Sequence, residues 1–195
     1  MKRLLDILSS LLVLILLCPL WLVLALLIVC DSRGGVFYRQ IRVGKDNKDF
    51  YLYKFRTMRP DADKKSLLTV GERDSRVTRV GYFLRKYKLD EFPQLINVLK
   101  GDMSIVGPRP EVRKYVDMYT PEQMRVLSVR PGLTDLASIQ YVHENELLAA
   151  SDNPEQTYID EVMPAKLQLN LQYIDNQSFW GDIKLIFQTF AAILH

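Results

Sequence analysis

The sequence is poor in cysteine and in histidine, and both shortages exclude classes of protein. Of 195 residues, two are cysteines: Cys18 lies within one apolar stretch near the N-terminus, and Cys30 lies directly at its end. A disulfide framework outside that stretch is therefore impossible, which fits a reducing compartment. The two histidines, His143 and His195, form no cluster in the sequence. A histidine-based catalytic triad or zinc site is consequently unsupported.

Common phosphate-binding signatures are also missing, and charge is unevenly distributed. The chain contains neither a Walker A sequence nor a GxGxxG fingerprint, and it shows no internal repeat. Residues 31–114 carry 20 Lys and Arg against 11 Asp and Glu, whereas residues 115–195 carry 4 against 11. The basic part should attract nucleic acid, acidic lipid headgroups or phosphorylated substrates. The acidic part argues against a simple polyanion binder.

The apolar stretch LLVLILLCPLWLVLALLIV (11–29) contains 19 consecutive uncharged residues. It is long enough to span a bilayer as one helix and too long for a cleaved signal peptide. Pro19 lies near its centre, where it would remove a backbone hydrogen bond and bend a helix. Basic residues flank both sides of the stretch, which favours two cytoplasmic ends. Composition leaves open a spanning helix and a bent, re-entrant helix confined to one leaflet.

The first segment after the apolar stretch predicts a β-hairpin. VFYRQIRV (36–43) and FYLYKFRT (50–57) alternate and are rich in aromatic and β-branched residues, and GKDNK between them supplies a turn. On the second strand, the period of two places Lys54 and Arg56 on one face. That face is either a solvated charged surface or part of an anion-binding site. The polar segment 59–75 that follows is predicted to be a loop.

Helical periodicity dominates the rest of the chain, so we expect a mostly α-helical protein. The predicted helices cover residues 77–87, 91–100, 120–129, 155–175 and 179–194. Thr120 as N-cap with Gln123 predicts a capping box at the start of the third helix. The last helix is strongly apolar on one side, which suits either a protein core or the membrane interface.

Two adjacent acids, Asp90 and Glu91, follow a basic stretch in RKYKLDEFPQL (85–95). Asp90 could be the N-cap of the following helix, because a cap carboxylate accepts hydrogen bonds from the second and third amides of a helix. The third position would be Pro93, which has no N–H, so half of that role would be missing. A site that handles phosphate through a bridging cation would explain both acids and the basic residues around them.

Two rigid corners present arginines. In GDMSIVGPRP (101–110) two prolines restrict Arg109, and VRPGL (129–133) presents Arg130 in the same way. Gly107 would let the backbone approach a ligand closely. Arginine suits bidentate phosphate contact and carboxylates suit Mg²⁺, so the combination predicts a diphosphate site with a bridging Mg²⁺.

The chain resembles the bacterial sugar transferases, in particular the small monotopic phosphoglycosyl transferases typified by bacillosamine phosphotransferase. The residues that carry the resemblance are CP (18–19), YKFRTM (53–58), LDEFPQLINVLKGDMSIVGPRP (89–110) and VRPGLT (129–134). The resemblance runs nearly end to end. Its 89–110 block is highly specific, because many residue types stand there at fixed spacing.

The resemblance implies that a sugar-1-phosphate is transferred from a UDP-sugar to undecaprenyl phosphate, with release of UMP. Asp90 matches the nucleophilic aspartate that forms a covalent phosphosugar intermediate, and Glu91 matches the glutamate of the same dyad. Both acids would hold Mg²⁺. Arg85 matches a phosphate-binding arginine. Further phosphate contacts would come from Lys54, Arg56, Arg109 and Arg130.

The family's organisation is implied as well. Pro19 matches the proline that breaks a re-entrant membrane helix, here over residues 1–30. Residues 31–195 would form a cytoplasmic, membrane-associated catalytic domain, mostly α-helical with a small β-hairpin and amphipathic interfacial helices. The protein would act on the cytoplasmic face of the bacterial inner membrane, in contact with its lipid and without nucleic acid. The sugar, the pathway and the oligomeric state stay open, a homodimer included.

One segment departs from the family pattern. After VRPG, relatives continue with a GxAQVxGR-like segment, whereas this chain reads TDLASIQYVHENELL (134–148). The segment could help to shape the nucleotide-sugar pocket, and the role of residues 134–165 stays open.

Two rival functions remain. A non-catalytic membrane-surface protein that binds acidic lipid fits the charge asymmetry, but it does not explain Asp90 and Glu91 among arginines. A membrane-bound nucleotidyl transferase shares the metal and phosphate chemistry, and it would release pyrophosphate instead of UMP.

Overall fold

The computed structural model describes residues 2–60 and 74–194, and most of these residues are helical. In chain order the elements are α1 (Lys2–Asp31), β1 (Phe37–Val43), β2 (Asp49–Phe55), α2 (Arg79–Lys86), α3 (Gln94–Lys100), β3 (Ser104–Val106), α4 (Arg113–Val116), β4 (Gly132–Thr134), α5 (Leu136–Gln140), α6 (Glu144–Ala149), α7 (Pro154–Thr157), α8 (Met163–Asp175) and α9 (Phe179–Leu194). Short 3-10 turns cover Lys45–Asn47, Leu89–Glu91 and Gln123–Ser128, and a π-helical turn covers Tyr158–Val162. The predicted polar loop at 59–75 lies for the most part outside the described residues.

The predicted hairpin is confirmed. Strands β1 and β2 pair antiparallel, in a register that runs from Phe37 opposite Phe55 to Val43 opposite Asp49. The turn between them contains Asp46 and Asn47 with positive φ angles of 57° and 59°. Aspartate and asparagine tolerate this left-handed conformation better than most residues, so GKDNK is a suitable turn sequence.

A second, parallel strand pair was not predicted. Strands β3 and β4 have three residues each and pair Ser104 with Gly132. Gly107, which directly follows β3, also lies against Gly132 of β4. The two backbones are so close that a Cβ on Gly132 would lie 2.2 Å from the Gly107 nitrogen. The close approach predicted for Gly107 is therefore to protein backbone, and it locks the Arg109 corner against the Arg130 corner.

The predicted helices form with small shifts at their ends. Thr120 and Gln123 make the reciprocal bonds of a capping box, at 2.9 and 3.3 Å, but the helix they begin is a 3-10 helix. The predicted helix at 155–175 is continuous through α7, the π-helical turn and α8. The prediction of α9 over 179–194 is confirmed.

Helix α1 is 30 residues long, and it is apolar enough and long enough to cross a membrane. Pro19 lies inside it, and the helix is assigned without interruption on either side. The bend at Pro19 therefore stays a prediction. The middle of the helix is largely exposed, and the exposed apolar side chains there include Leu11, Leu12, Ile15, Leu16 and Leu20.

Both ends of α1 contact the rest of the protein. Near the N-terminal end, Asp6 is buried where α1 packs on α3 and β3. Near the C-terminal end, Leu24 and Ile28 pack into a buried cluster with Phe55 and Leu84. The rest of the protein thus contacts the helix at two places, on either side of its exposed middle.

Candidate active site

Asp90 lies in a 3-10 turn, Leu89–Glu91, between α2 and α3. Lys88 enters this turn in the left-handed conformation, with φ 55°. The N-cap of α3 is Pro93, and no side chain caps that helix. Asp90 is therefore not the N-cap of α3. The residue is only 6% exposed, and the burial of a carboxylate here needs another explanation.

Glu91 is the centre of an ion-pair cluster. Arg109 donates from Nη1 to Glu91 Oε2 at 3.0 Å and from Nη2 to Oε1, which is the two-pronged arrangement that guanidinium favours. Lys54 Nζ donates to Glu91 Oε1 at 3.1 Å. Lys54 is therefore part of this cluster and does not lie on a solvated charged face. Both carboxylate oxygens of Glu91 are engaged with cations.

The two adjacent acids have opposite electrostatic environments. Burial raises the pKa of the Asp90 carboxyl, the charge of Lys54 opposes that shift, and the charge of Glu91 adds to it. Burial also acts to raise the pKa of Glu91, but the charges of Arg109 and Lys54 outweigh it and hold that pKa well below its usual range. No described residue donates a hydrogen bond to Asp90, so its carboxylate is the one left available for chemistry.

Asp135 holds the loop that carries Arg109, and sequence reasoning missed this residue. Its side chain is fully buried at the N-cap of α5 and accepts hydrogen bonds from the backbone N–H of Arg109, at 3.1 Å, and of Ser138, at 2.6 Å. An aspartate just before LASIQ is a recognisable cap signal. Its second bond, to a residue 26 positions earlier, has no signal in the sequence.

The five predicted phosphate-binding cations do not all come together. Lys54, Arg85 and Arg109 line one cavity with Asp90 and Glu91. Arg85 Nε also donates to Thr57 Oγ1 at 3.1 Å.

Arg56 and Arg130 do not line this cavity, which corrects their predicted grouping with the other three. Arg56 is buried and donates to the backbone oxygens of Gly35, Ser32 and Ile28, so it binds the C-terminal end of α1. Carbonyls at a helix C-terminus lack partners within the helix and carry partial negative charge, which explains why a cation lies there. Arg130 is exposed and donates to the Gly101 carbonyl at 2.9 Å.

The cavity has a volume of about 650 Å³, within the range of pockets that take cofactors and nucleotides. Its walls differ in character. One wall carries the acids and cations described above. The other comes from α5, α6, α8 and the turn between α5 and α6. Apart from the ion pair of Lys166 with Glu144, it presents apolar side chains and neutral polar groups, and the polar groups include Ser138, Tyr141 and Asn170. A substrate with a charged part and a neutral polar part matches this division.

The residues present fit Mg²⁺ in part. Among the described residues, no group of three or more potential protein ligands comes together. Mg²⁺ often uses one or two carboxylates and completes its coordination with water and substrate phosphate. Asp90 can supply one such carboxylate. Glu91 could supply another only in competition with its ion pairs to Arg109 and Lys54.

The family model described as bacterial sugar transferase matches residues 1–195. Over 99% of its length, the chain is 41% identical to the UDP-N-acetylgalactosamine-undecaprenyl-phosphate N-acetylgalactosaminephosphotransferase of Aeromonas hydrophila. It is 37% identical, also over 99%, to the UDP-glucose:undecaprenyl-phosphate glucose-1-phosphate transferase of Caulobacter vibrioides. It is 38% identical over its full length to the exopolysaccharide production protein PSS of Rhizobium leguminosarum bv. phaseoli.

These relatives differ in length. The chain spans 43% of the Aeromonas protein, 69% of the Caulobacter protein and 95% of the Rhizobium protein. The Aeromonas and Caulobacter proteins are named for different sugars, so similarity at this level does not identify the sugar. The match to the family model, in contrast, covers the whole chain, including the departing segment 134–148. The resemblance seen in the sequence is thereby confirmed, and the chain belongs to the bacterial sugar transferase family.

Proposed function

We propose that this protein transfers a sugar-1-phosphate from a UDP-sugar to undecaprenyl phosphate and releases UMP. The observation that carries the proposal is the pair Asp90 and Glu91, in which one acid is fully paired with cations and the other is buried without a hydrogen-bond donor among the described residues. The names of the relatives support the substrates, since two of them are named for UDP-sugars and undecaprenyl phosphate.

The reaction proceeds by two displacements at one phosphorus. In the first, a carboxylate oxygen of Asp90 forms a bond to the phosphorus that bears the sugar. The bond from that phosphorus to the bridging oxygen breaks, and UMP leaves with the electron pair. In the second, a phosphate oxygen of undecaprenyl phosphate attacks the same phosphorus, and the Asp90 carboxylate is released unchanged. A carboxylate is a competent nucleophile when the charge repulsion with phosphate is neutralised.

The cation cluster supplies that neutralisation. Arg109 and Lys54 are held by Glu91 at the edge of the cavity, and Arg85 lines it as well. Because these side chains are already positioned, they stabilise charge on the phosphoryl oxygens without reorganising during the reaction. Glu91 acts in this arrangement by holding the two cations. Mg²⁺, when bound, would add charge neutralisation, with Asp90 and Glu91 as the proposed ligands.

We also propose that the protein is monotopic and lies on the cytoplasmic face of the inner membrane. The two ends of α1 pack on one domain, through Asp6 at one end and Ile28 at the other. These contacts support an arrangement in which both ends of α1 lie on the same side of the bilayer. The exposed aromatic residues of α9, Trp180, Phe187 and Phe190, suit the membrane interface.

A single-turnover experiment tests the function. The enzyme is mixed with Mg²⁺ and each of a panel of UDP-sugars, without lipid acceptor. We expect at most about one UMP per active site with the correct sugar, and a sugar-phosphate mass on the peptide that contains Asp90. Asp90→Asn should abolish both signals, whereas Asp117→Asn, at an exposed acid, should leave both unchanged. Release of pyrophosphate instead of UMP would identify a nucleotidyl transferase and reject the proposal.

A further inference from the structure

The neutral wall of the cavity contains polar atoms without partners. Ser138 Oγ and Asn170 Oδ1 are buried and make no hydrogen bond with any described residue. Both residues line the cavity, and Asn170 is 5% exposed. Buried polar groups in folded proteins are nearly always hydrogen-bonded, and unpaired ones call for an explanation such as a missing ligand.

These two residues come from different helices, which pack together. Ser138 lies on α5 and Asn170 lies on α8, and α5 packs against α8. Asp135 links this wall to the charged one, because its carboxylate accepts from the backbone N–H of both Ser138 and Arg109. The unpaired groups are therefore positioned relative to the phosphate-binding arginine through a single buried side chain.

The chemistry of this wall is suited to hydroxyl groups. A serine hydroxyl and a carboxamide together offer donors and acceptors and carry no charge. The nearest cation on the same face of α8, Lys166, is already paired with Glu144 at 2.6 Å. The wall thus lacks a free cation for phosphate among its described residues, and it can satisfy a neutral ligand that both donates and accepts.

The order of the two displacements decides which part of the UDP-sugar belongs there. The acceptor phosphate attacks the phosphorus that UMP has left. Because each displacement is in line, UMP leaves and the acceptor enters opposite the Asp90 oxygen, so the acceptor takes the position from which UMP departed. That position must open to the lipid. The sugar, in contrast, stays attached to the phosphorus through both steps, so its subsite can be enclosed. The buried wall at Ser138 and Asn170 fits the part that stays.

We propose that Ser138 and Asn170 form the subsite that recognises the sugar hydroxyls of the UDP-sugar. This inference rests on the proposed function. Ser138 lies within the segment 134–148, where the sequence departs from the family pattern, whereas Asn170 lies beyond that segment, on α8. This subsite would then contribute to the choice of sugar.

The test separates binding of the sugar from binding of the nucleotide. For Asn170→Ala and Ser138→Ala, we would measure KM for the accepted UDP-sugar and, by calorimetry, the Kd of UMP. We expect KM to rise roughly tenfold in each variant, because each loses about one hydrogen bond to the sugar. The Kd of UMP should stay unchanged. Discrimination between UDP-sugars that differ at one hydroxyl should also fall. The matched control is Asn176→Ala, at an exposed asparagine directly after α8. It should leave KM, the Kd of UMP and sugar discrimination unchanged.

Several outcomes would overturn the subsite. An equal weakening of UMP and UDP-sugar would assign these residues to the nucleotide. Unchanged KM and unchanged sugar discrimination in both variants would make the pair structural. If Asn170→Ala fails to fold, Ser138→Ala on the other helix decides by the same two measurements. A wild-type protein that releases no UMP with any UDP-sugar would reject the proposed function itself, whereas normal wild-type turnover with unaltered variants rejects the subsite alone.

Discussion

Two regions of this protein bury charge, and they use it differently. One is the cavity around Asp90 and Glu91. The other is the α1 junction, formed by Lys2, Asp6, Arg56 and Asp182 where α1 meets the domain. Measured by burial alone the two regions look alike, since Asp6 is 3% exposed and Asp90 is 6% exposed.

The difference lies in how far each charge is satisfied. In the junction, Asp6 accepts from Ser104 Oγ at 2.9 Å and from the Ile105 N–H at 3.1 Å. Lys2 Nζ donates to the Val106 carbonyl at 2.9 Å and also pairs with Asp182. In the cavity, the described residues give Asp90 no such partner. A buried charge that is fully bonded holds structure together, whereas one left without bonds is available to a substrate.

The strongest way to separate the two regions is Asp90→Asn. Loss of the nucleophile should lower the rate of UMP release by about 10⁴-fold or more. Burial raises the pKa of Asp90, so the ionised group costs stability at neutral pH, and the thermal midpoint should stay unchanged or rise. The rate of UMP release and the thermal midpoint would be measured for wild type and variant in the same detergent. A large fall in the midpoint would show that Asp90 is structural, like Asp6.

Glu91→Gln should affect both activity and stability. Removing the charge leaves Arg109 and Lys54 uncompensated, so we expect about 10²-fold slower UMP release and about 2 kcal/mol lower stability. The expected loss of stability is smaller than for a fully buried ion pair, because 34% of the Arg109 side chain is exposed.

The pH dependence of that stability loss gives a second check. The pKa of Glu91 is held below its usual range, so its contribution is present above the ordinary glutamate pKa. The contribution is lost as pH falls through the depressed value. Melting curves of wild type and Glu91→Gln should therefore differ at neutral pH and converge on acidification. A constant difference at every pH would mean that the variant perturbs packing instead.

A pair of arginine variants compares the regions directly. Arg109→Lys keeps the charge but loses the two-pronged contact, and kcat/KM should fall roughly tenfold or more. Arg56→Lys loses several bonds to the end of α1, so it should lower the thermal midpoint with kcat/KM nearly unchanged. Kinetics and melting of both variants would be measured side by side. Similar losses of kcat/KM in the two variants would place Arg56 in substrate binding after all.

The smallest expected effect is a change of topology in Asp6→Leu. Removing the buried carboxylate frees the N-terminal end of α1 and makes it more apolar, so a minor fraction of the protein should expose that end to the periplasm. Labelling of a cysteine added at the N-terminus, with Cys18 and Cys30 replaced by serine and Lys2 kept, would measure the fraction. Ser9→Leu is the matched control, because Ser9 bonds within its own helix. Labelling from the periplasm in the wild type would contradict the monotopic arrangement.

Local patterns were sufficient for much of this protein. The β-hairpin, α9 and the Thr120–Gln123 capping box depend on residues close together in the chain, so periodicity and turn chemistry predicted them. The pairing of Asp90 and Glu91 was equally visible, because adjacent acids among cations are unusual whatever the fold. The family followed from the fixed spacing of residues 89–110.

Long-range geometry was beyond those patterns. Arg56 and Arg109 looked alike in the sequence, but one binds the end of α1 and the other binds Glu91. The hydrogen bond that Asp135 accepts from the Arg109 N–H likewise depends on how the segments after β3 and β4 pack together. A side chain's charge and local conformation follow from its neighbours in the chain, so the sequence was enough to predict them. Which partner satisfies that charge depends on packing between segments up to 180 residues apart, and only the tertiary structure defines it.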